Sequence, residues 1–263
     1  MKKILLAILI ISLAITGCSS NNKNDKPLRV GVTAGPHAEI MEVAKKVAEK
    51  NGIKVQIVEF NDFIQPNVAL NEGDLQVNSM QHKPYLDNVV AAKKFDLIPA
   101  GKTIILPMAL YSDKYKDLSK LPNGATVAIP NDPTNGGRAL LLLEQAGLIK
   151  LKAGVGVKAA TIDIIENPKN LAIKELDAAI ISRSLKDTDL AAVNTNYALP
   201  AGLLPARDAV AIESANSPYA NVFAVTSKTK DDPRVQTLIK SYQSQEVKDF
   251  IDQKYQKAVI PAW

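Results

Sequence analysis

Hydrophobic and polar positions divide most of the chain into short strand-like runs separated by helical stripes. Leu28 to Thr33 alternates as a strand does, Gly35-Pro36 turns the chain, and Ile40, Ala44, Val47 and Ala48 line one face of a helix ending near Gly52. Lys54 to Phe60 is a second strand by its β-branched content and alternation. Asp62 can cap a short helix that stops at Gly73, Leu75 to Met80 is a third strand, and a helix runs from about Pro84 to Lys94. An apolar run then fills Leu97 to Tyr111. Further on, the pattern predicts a strand at Ala125 to Ile129 and a strongly apolar helix from Thr134 to Ala146, closed by Gly147. Ile162 to Ile165 and Leu190 to Val193 read as buried strands, Val222 to Thr226 as a returning strand, and Pro233 to Lys257 as helix. Strands separated by helices at this spacing argue for mostly parallel α/β sheets. Two α/β lobes are favoured, with one continuous sheet as the alternative.

The N-terminus obeys a different rule. Lys2 and Lys3 precede an apolar stretch from Ile4 to Ile15, too short for the ~20 residues of a spanning helix. Thr16, Gly17 and Cys18 follow, so residues 1–17 read as an export signal. The pattern Ile15-Thr16-Gly17-Cys18 resembles a bacterial lipobox, in which the thiol takes a diacylglycerol and becomes the mature N-terminus. Cys18 is the single cysteine of the chain, and a free thiol in an oxidising compartment would be a liability. Residues 18–27 are polar and turn-rich, the composition of a flexible lipidated tether. Removing Lys2 and Lys3 leaves 30 basic against 27 acidic residues. The remaining lysines are dispersed, which argues against nucleic acid as a partner.

The chemistry on offer is that of binding. Two histidines, His37 and His82, and one cysteine cannot supply the three or four clustered ligands of a transition-metal site. No phosphate loop and no G-x-S-x-G elbow is present, so no cofactor and no catalytic residue is expected. Three polar clusters lie where strand-to-helix turns are expected, the places where open α/β sheets bind ligands. They are Asn78 to Tyr85, Asn131 to Arg138, and Asn194 to Tyr197 together with Ser217 to Asn221. In the second, Thr134 or Asn135 can cap a helix whose start favours an anion, and Arg138 can add a bidentate contact to a carboxylate. The asparagine carbonyls suit an ammonium group. Taken together the clusters hold the parts needed to recognise an α-amino acid. Alone, the first would read as a turn with a Pro-started helix, the second alternatively as a well-capped helix with an exposed Arg, and the third alternatively as Asn-rich turns.

Several stretches in order carry a resemblance over essentially the whole mature chain. These are Phe60-Asn61-Asp62-Phe63 with Pro66-Asn67, Gln81-His82-Lys83-Pro84-Tyr85-Leu86-Asp87, Ala128 to Asn135, Glu166 to Leu171, and Ser217-Pro218-Tyr219-Ala220-Asn221. The sequence resembles the NlpA/MetQ family of methionine-binding lipoproteins, substrate-binding components of methionine ABC importers. The resemblance implies a two-lobed type II periplasmic-binding-protein fold with a ligand cleft between α/β lobes. Lobe one would comprise residues 28–109 plus about 213–263, and lobe two about 110–212. By the same resemblance Arg138 would pair with the ligand carboxylate, and Asn194 and Asn221 would contact the amino-acid head. His82, Tyr85 and Met80 would form the side-chain pocket, with Phe63 as a further wall and Asn135 beside the cleft. Met80 stands where relatives usually have Phe. The implied partners are methionine, in L or D form, and the permease and ATPase of an importer. The protein would act as a monomer in the cell envelope, lipid-anchored and facing the periplasm or the exterior. A methionine-containing dipeptide or another amino acid is the alternative ligand. A surface adhesion lipoprotein and an exported enzyme are the rival classes.

Lipidation gives the first testable consequence. Cys18→Ser is expected to release the body into the aqueous phase on detergent partitioning; a variant that still partitions with membranes would remove Cys18 as the anchor.

Overall fold

The computed structural model describes residues 26–214 and 217–263; the export signal and Cys18 lie outside the described residues. The chain opens with β1 (Leu28–Thr33), α1 (Pro36–Lys50), β2 (Val55–Phe60), α2 (Gln65–Glu72), β3 (Val77–His82), α3 (Lys83–Lys93) and β4 (Ile98–Lys102). It crosses through β5 (Ile104–Ile105) to β6 (Ala109–Tyr111), β7 (Thr126–Pro130), α4 (Pro133–Gln145), β8 (Lys150–Leu151), β9 (Ile164–Glu166) and β10 (Ala172–Leu176). There follow α5 (Ala178–Ser184), β11 (Leu190–Val193), α6 (Thr195–Ala198), α7 (Pro205–Asp208) and β12 (Ala209–Ile212). A return segment then brings β13 (Asn221–Val225), α8 (Pro233–Tyr242), α9 (Gln245–Tyr255) and β14 (Ile260–Pro261).

Two five-stranded sheets result, ordered β2-β1-β3-β13-β4 and β10-β7-β11-β6-β12, each the centre of one lobe. They are mixed rather than mostly parallel. The pairs β1–β2, β1–β3, β10–β7 and β11–β7 are parallel. The strands beside the crossovers run the other way: β13 is antiparallel to β3 and β4, and β6 is antiparallel to β11 and β12. A strand that enters a sheet after a passage through the other lobe arrives reversed, and the apolar pattern of such a strand carries no sign of its direction.

Each lobe buries its own apolar core. In lobe one, Val30, Val32, Ile40 and Ala44 pack with Leu238, Tyr242, Val247 and Ile251 of the C-terminal helices. α8 and α9 are therefore packed into the core of lobe one, at about 1.5–3 kcal/mol for each large side chain withdrawn from water. In lobe two, Leu110, Val127, Ile129, Leu140 and Leu143 form the corresponding centre.

Some expectations shift. The helix expected over Pro233 to Lys257 is two helices, because Ser244 leaves the helical conformation and its side chain accepts the Val247 N–H to cap α9. Ile162 to Ile165 is not a buried strand: Ile162 is 90% and Ile165 58% exposed, and among the described residues β9 pairs with β8 alone, in a two-stranded sheet. Ile164 packs against the lobe-two core, while its apolar neighbours in the run are left uncovered. The stretch Leu97 to Tyr111 divides into three strands. β3 extends to His82, and all six of its residues are buried. Its polar run, Asn78 to Gln81, thus lies inside the sheet, and His82 ends the strand as the N-cap of α3.

Two glycines let α4 sit close to its surroundings. A Cβ at Gly136 would lie 2.8 Å from the Pro130 carbonyl oxygen, and one at Gly137 2.7 Å from that of Ala159. Backbone atoms cannot swing aside as a flexible side chain can. Gly137→Ala is therefore expected to cost about 1–3 kcal/mol through overpacking, outweighing the ~1 kcal/mol that Ala gains in helix propensity. A urea midpoint equal to that of the parent chain would show that the 156–159 turn yields without cost.

Candidate ligand-binding cleft

The carboxyl ends of the parallel strands in the two sheets face each other across a small cavity lined by residues of both lobes, the concave setting usual for small-molecule sites. β3 and the start of α3 bring Met80, His82 and Tyr85; the first turn and a half of α4 brings Asn135 and Arg138; the β11–α6 junction brings Asn194; and the loop after β2 brings Phe63. Asn221 belongs to the same rim for a different reason. It begins β13, and because that strand is antiparallel to β3 its first residue pairs with His82, the last residue of β3. The Ser217 to Asn221 cluster is accordingly a strand entry and not a strand-to-helix turn.

A directional hydrogen-bond relay fixes the polar wall. Asp132, the actual N-cap of α4, accepts the Asn135 N–H at 2.9 Å, the Thr134 hydroxyl at 2.9 Å and the Asn135 Nδ2 at 2.9 Å. Neither Thr134 nor Asn135 caps the helix; Pro133 occupies its first position, and the carboxylate one residue earlier takes the role. With its amide nitrogen committed to Asp132, Asn135 offers Oδ1 to two donors, His82 Nε2 at 3.1 Å and Asn194 Nδ2 at 2.8 Å. The first of these joins the two lobes. His82 Nδ1 accepts the Tyr85 N–H at 3.1 Å, so the imidazole proton sits on Nε2. Asn194 in turn is left with a buried, unpartnered Oδ1, and Asn196 on the same wall with a buried, unpartnered Nδ2. Such atoms are costly to bury unless something pairs with them. On the opposite wall Asn221 donates through Nδ2 to His37 Nε2 at 2.8 Å, and His37 Nδ1 meets the Thr33 hydroxyl at 2.8 Å. The cleft thus holds free acceptors and free donors on side chains whose orientation is already set.

Arg138 departs from the sequence reading. Its Nε lies 3.0 and 3.1 Å from the two carboxylate oxygens of Glu213, its Nη2 lies 2.5 Å from Oε2, and the same Nη2 donates to the Leu106 carbonyl at 2.8 Å. The bidentate edge expected to meet a ligand carboxylate is taken by the protein itself, and only Nη1 makes no hydrogen bond to a described residue. The guanidinium also stacks 4.3 Å from the centre of the Tyr219 ring, which packs edge-on to His82.

Comparison with known proteins places this architecture. The sequence profile of the NlpA lipoprotein family matches residues 28–263. The chain belongs to the NlpA lipoprotein family. A D-methionine-binding lipoprotein MetQ from Salmonella typhimurium strain LT2 is 45% identical over 258 residues, covering 97% of this chain and 95% of the relative. Among solved structures, a nutrient binding protein from Burkholderia cenocepacia bound to methionine is 52% identical with a TM-score of 0.88, covering 90% of this chain and 100% of that one. A periplasmic substrate-binding protein of an ABC transporter from Coxiella burnetii is 48% identical with a TM-score of 0.87, covering 89% and 100%. The two lobes are those of the periplasmic-binding fold shared with these NlpA-family structures.

Within this NlpA-family cleft the less polar wall is formed by Phe63, Met80 and Tyr85. Phe63 stands 5.9 Å from the Tyr85 ring and 5.0 Å from that of Tyr197 in lobe two, and the Tyr197 hydroxyl donates to the Asn61 carbonyl at 3.3 Å. Behind Met80, Gln81 is locked by reciprocal bonds of 2.8 and 2.7 Å with Asn67 and a further 2.9 Å bond to Asn78. Sequence reasoning assigned no individual role to His37, Gln81 or Asn196, although each lies in or beside a stretch that it marks, and it left Glu213 unmarked. His37 follows a strand and a Gly-Pro turn, the same signal that marked His82, and Asn196 stands two residues beyond Asn194. Glu213 has no local signal. Among the described residues there is no cluster of His, Cys, Asp or Glu able to hold a metal ion, and no helix long and apolar enough to cross a membrane.

Both histidines are kept neutral. Burial lowers His37 to about 4, and burial together with the Arg138 charge lowers His82 to about 3. Below about pH 6.5 the unfolded chain takes up protons at these rings while the native state does not. Stability is then lost as pH falls toward 4, at up to about 1.4 kcal/mol per pH unit for each ring. Urea midpoints measured from pH 7 to pH 4.5 are expected to fall along this slope, and His37→Gln to remove about half of it. An identical slope in the variant would assign the effect elsewhere.

Proposed function

We propose that this protein captures methionine, in L or D form, between its lobes and delivers it to an ABC import permease and its ATPase, while a lipid on Cys18 holds it at the membrane. The observation that carries the reading is the set of unpartnered polar atoms in the cleft. Asn194 Oδ1 is an acceptor suited to an ammonium group, and Arg138 Nη1 and Asn196 Nδ2 are donors suited to a carboxylate. An α-amino acid head presents both groups on one carbon. Beyond the head, Phe63, Met80, Tyr85 and the neutral His82 offer a soft, mostly apolar box. Contacts between a thioether and aromatic rings contribute about 0.3–1.5 kcal/mol each, so several walls and the limited volume act together in choosing the side chain. The names of the relatives point to the same ligand.

In this reading a monomer is the working unit, with both lobes contributing to one cleft. A ligand that bridges both walls shifts the population from open toward closed lobes, and the closed form presents a defined surface to the permease. No bond is made or broken. In this reading the body is lipid-anchored in the cell envelope and faces the periplasm or the cell exterior.

Calorimetric titration of the soluble body with L-methionine, D-methionine, methionine sulfoxide and Gly-Met tests the reading. One site for at least one methionine stereoisomer is expected, and Asn194→Ala is expected to weaken it by about tenfold or more, the cost of losing a hydrogen bond to a charged group. A body whose melting temperature responds to no amino acid or short peptide would overturn the assignment in favour of an adhesion or interaction protein.

A further inference from the structure

Glu213 is absent from the cavity wall, yet it decides how the cavity meets a carboxylate. Its side chain is 12% exposed and Arg138 is 4% exposed, so the pair is nearly withdrawn from water. Glu213 is itself anchored to the first crossover segment: its N–H donates to the Met108 carbonyl at 2.9 Å, and its Oε2 accepts the Met108 N–H at 3.2 Å. Arg138 comes from α4 of lobe two, and its Nη2 reaches the same crossover at Leu106. With Tyr219 stacked on its face, the guanidinium is held at its Nε edge, at Nη2 and across its plane. Two roles are conceivable for a carboxylate in this position. It could compete with the ligand for the arginine, or it could hold the arginine ready.

Geometry separates them. Glu213 occupies Nε and Nη2, and Nη1 remains without a hydrogen bond to any described residue on a side chain that lines the cavity. We infer that Glu213 is the positioning residue for ligand carboxylate recognition: it fixes the Arg138 fork to the crossover and leaves Nη1 alone to meet the ligand. The inference rests on the amino-acid reading given above. A guanidinium held before the ligand arrives loses little freedom on binding. Its charge is already balanced, so the ligand carboxylate gains a directed contact to one nitrogen instead of the full attraction of an unpaired cation.

The test compares L-methionine with L-methioninamide, which keeps the ammonium and side chain but has no carboxylate. Calorimetry on the parent body, Glu213→Gln, Arg138→Gln and the double variant gives the four affinities for each ligand. Glu213→Gln is expected to weaken methionine by about tenfold or more and to leave methioninamide within about twofold. The double variant is expected to lose no more than Arg138→Gln alone. Tighter methionine binding in Glu213→Gln would show a competitor and overturn the inference. Equal losses for both ligands, or no loss, would overturn it as well. Should Glu213→Gln fail to fold by thermal unfolding, Glu213→Asp keeps the charge with a shorter reach and must show the same ligand-selective loss. A parent body that binds neither ligand sinks the functional reading and this role with it. Normal parent binding with an unselective variant sinks the positioning role alone.

Discussion

A guanidinium that is almost excluded from water has to be neutralised within the protein, and much of this molecule is arranged around that requirement. Arg138 projects from α4 of lobe two, and its counter-charge, Glu213, lies on the segment that leads back to lobe one. Leu106 and Met108, on the outgoing segment, complete the set of partners. One ion pair therefore gathers both crossover segments and the helix that carries the arginine. Separating the two charges in this setting would leave an unpaired buried ion, which costs several kcal/mol. The place where the lobes join is thus tied directly to the wall of the cleft through Arg138.

The amide relay follows a similar logic with neutral groups. A carboxylate at the head of α4 can only accept, so it commits the nitrogen of Asn135 and forces the oxygen outward. That oxygen then requires donors, and His82 and Asn194 supply them from different lobes. Each step inherits its polarity from the one before, and the last member is left with an acceptor. The imidazoles belong to this scheme as neutral rings; a charged His82 beside Arg138 would reverse its role at Nδ1, where it accepts the Tyr85 N–H.

The fold was legible where one periodic pattern had one covered face, as in β1 and α1, and where a family resemblance ordered the segments. His82, Asn135 and Arg138 could be singled out because they fall at strand-to-helix turns, which a sequence marks with Pro, Asn and Asp. Strand direction was not legible, since an antiparallel β13 has the same apolar pattern as a parallel one. Ile162 misled because hydrophobicity reports a capacity for burial and not the presence of a covering layer; it is 90% exposed. The partner of Arg138 was invisible for a further reason. Glu213 lies 75 positions away in the chain, and nothing in a sequence of dispersed acids shows which one a buried arginine will meet.

The contacts that join the lobes carry a kinetic consequence. A small molecule held between two lobes leaves most readily when the lobes part. Opening separates Phe63 from Tyr197, the Tyr197 hydroxyl from Asn61, and His82 from Asn135. Residence time is then governed by how often those three contacts break, and the strength of the grip on the molecule enters only through the balance between open and closed forms. The contacts between the lobes therefore bear on the rate of escape and on the balance between open and closed forms together.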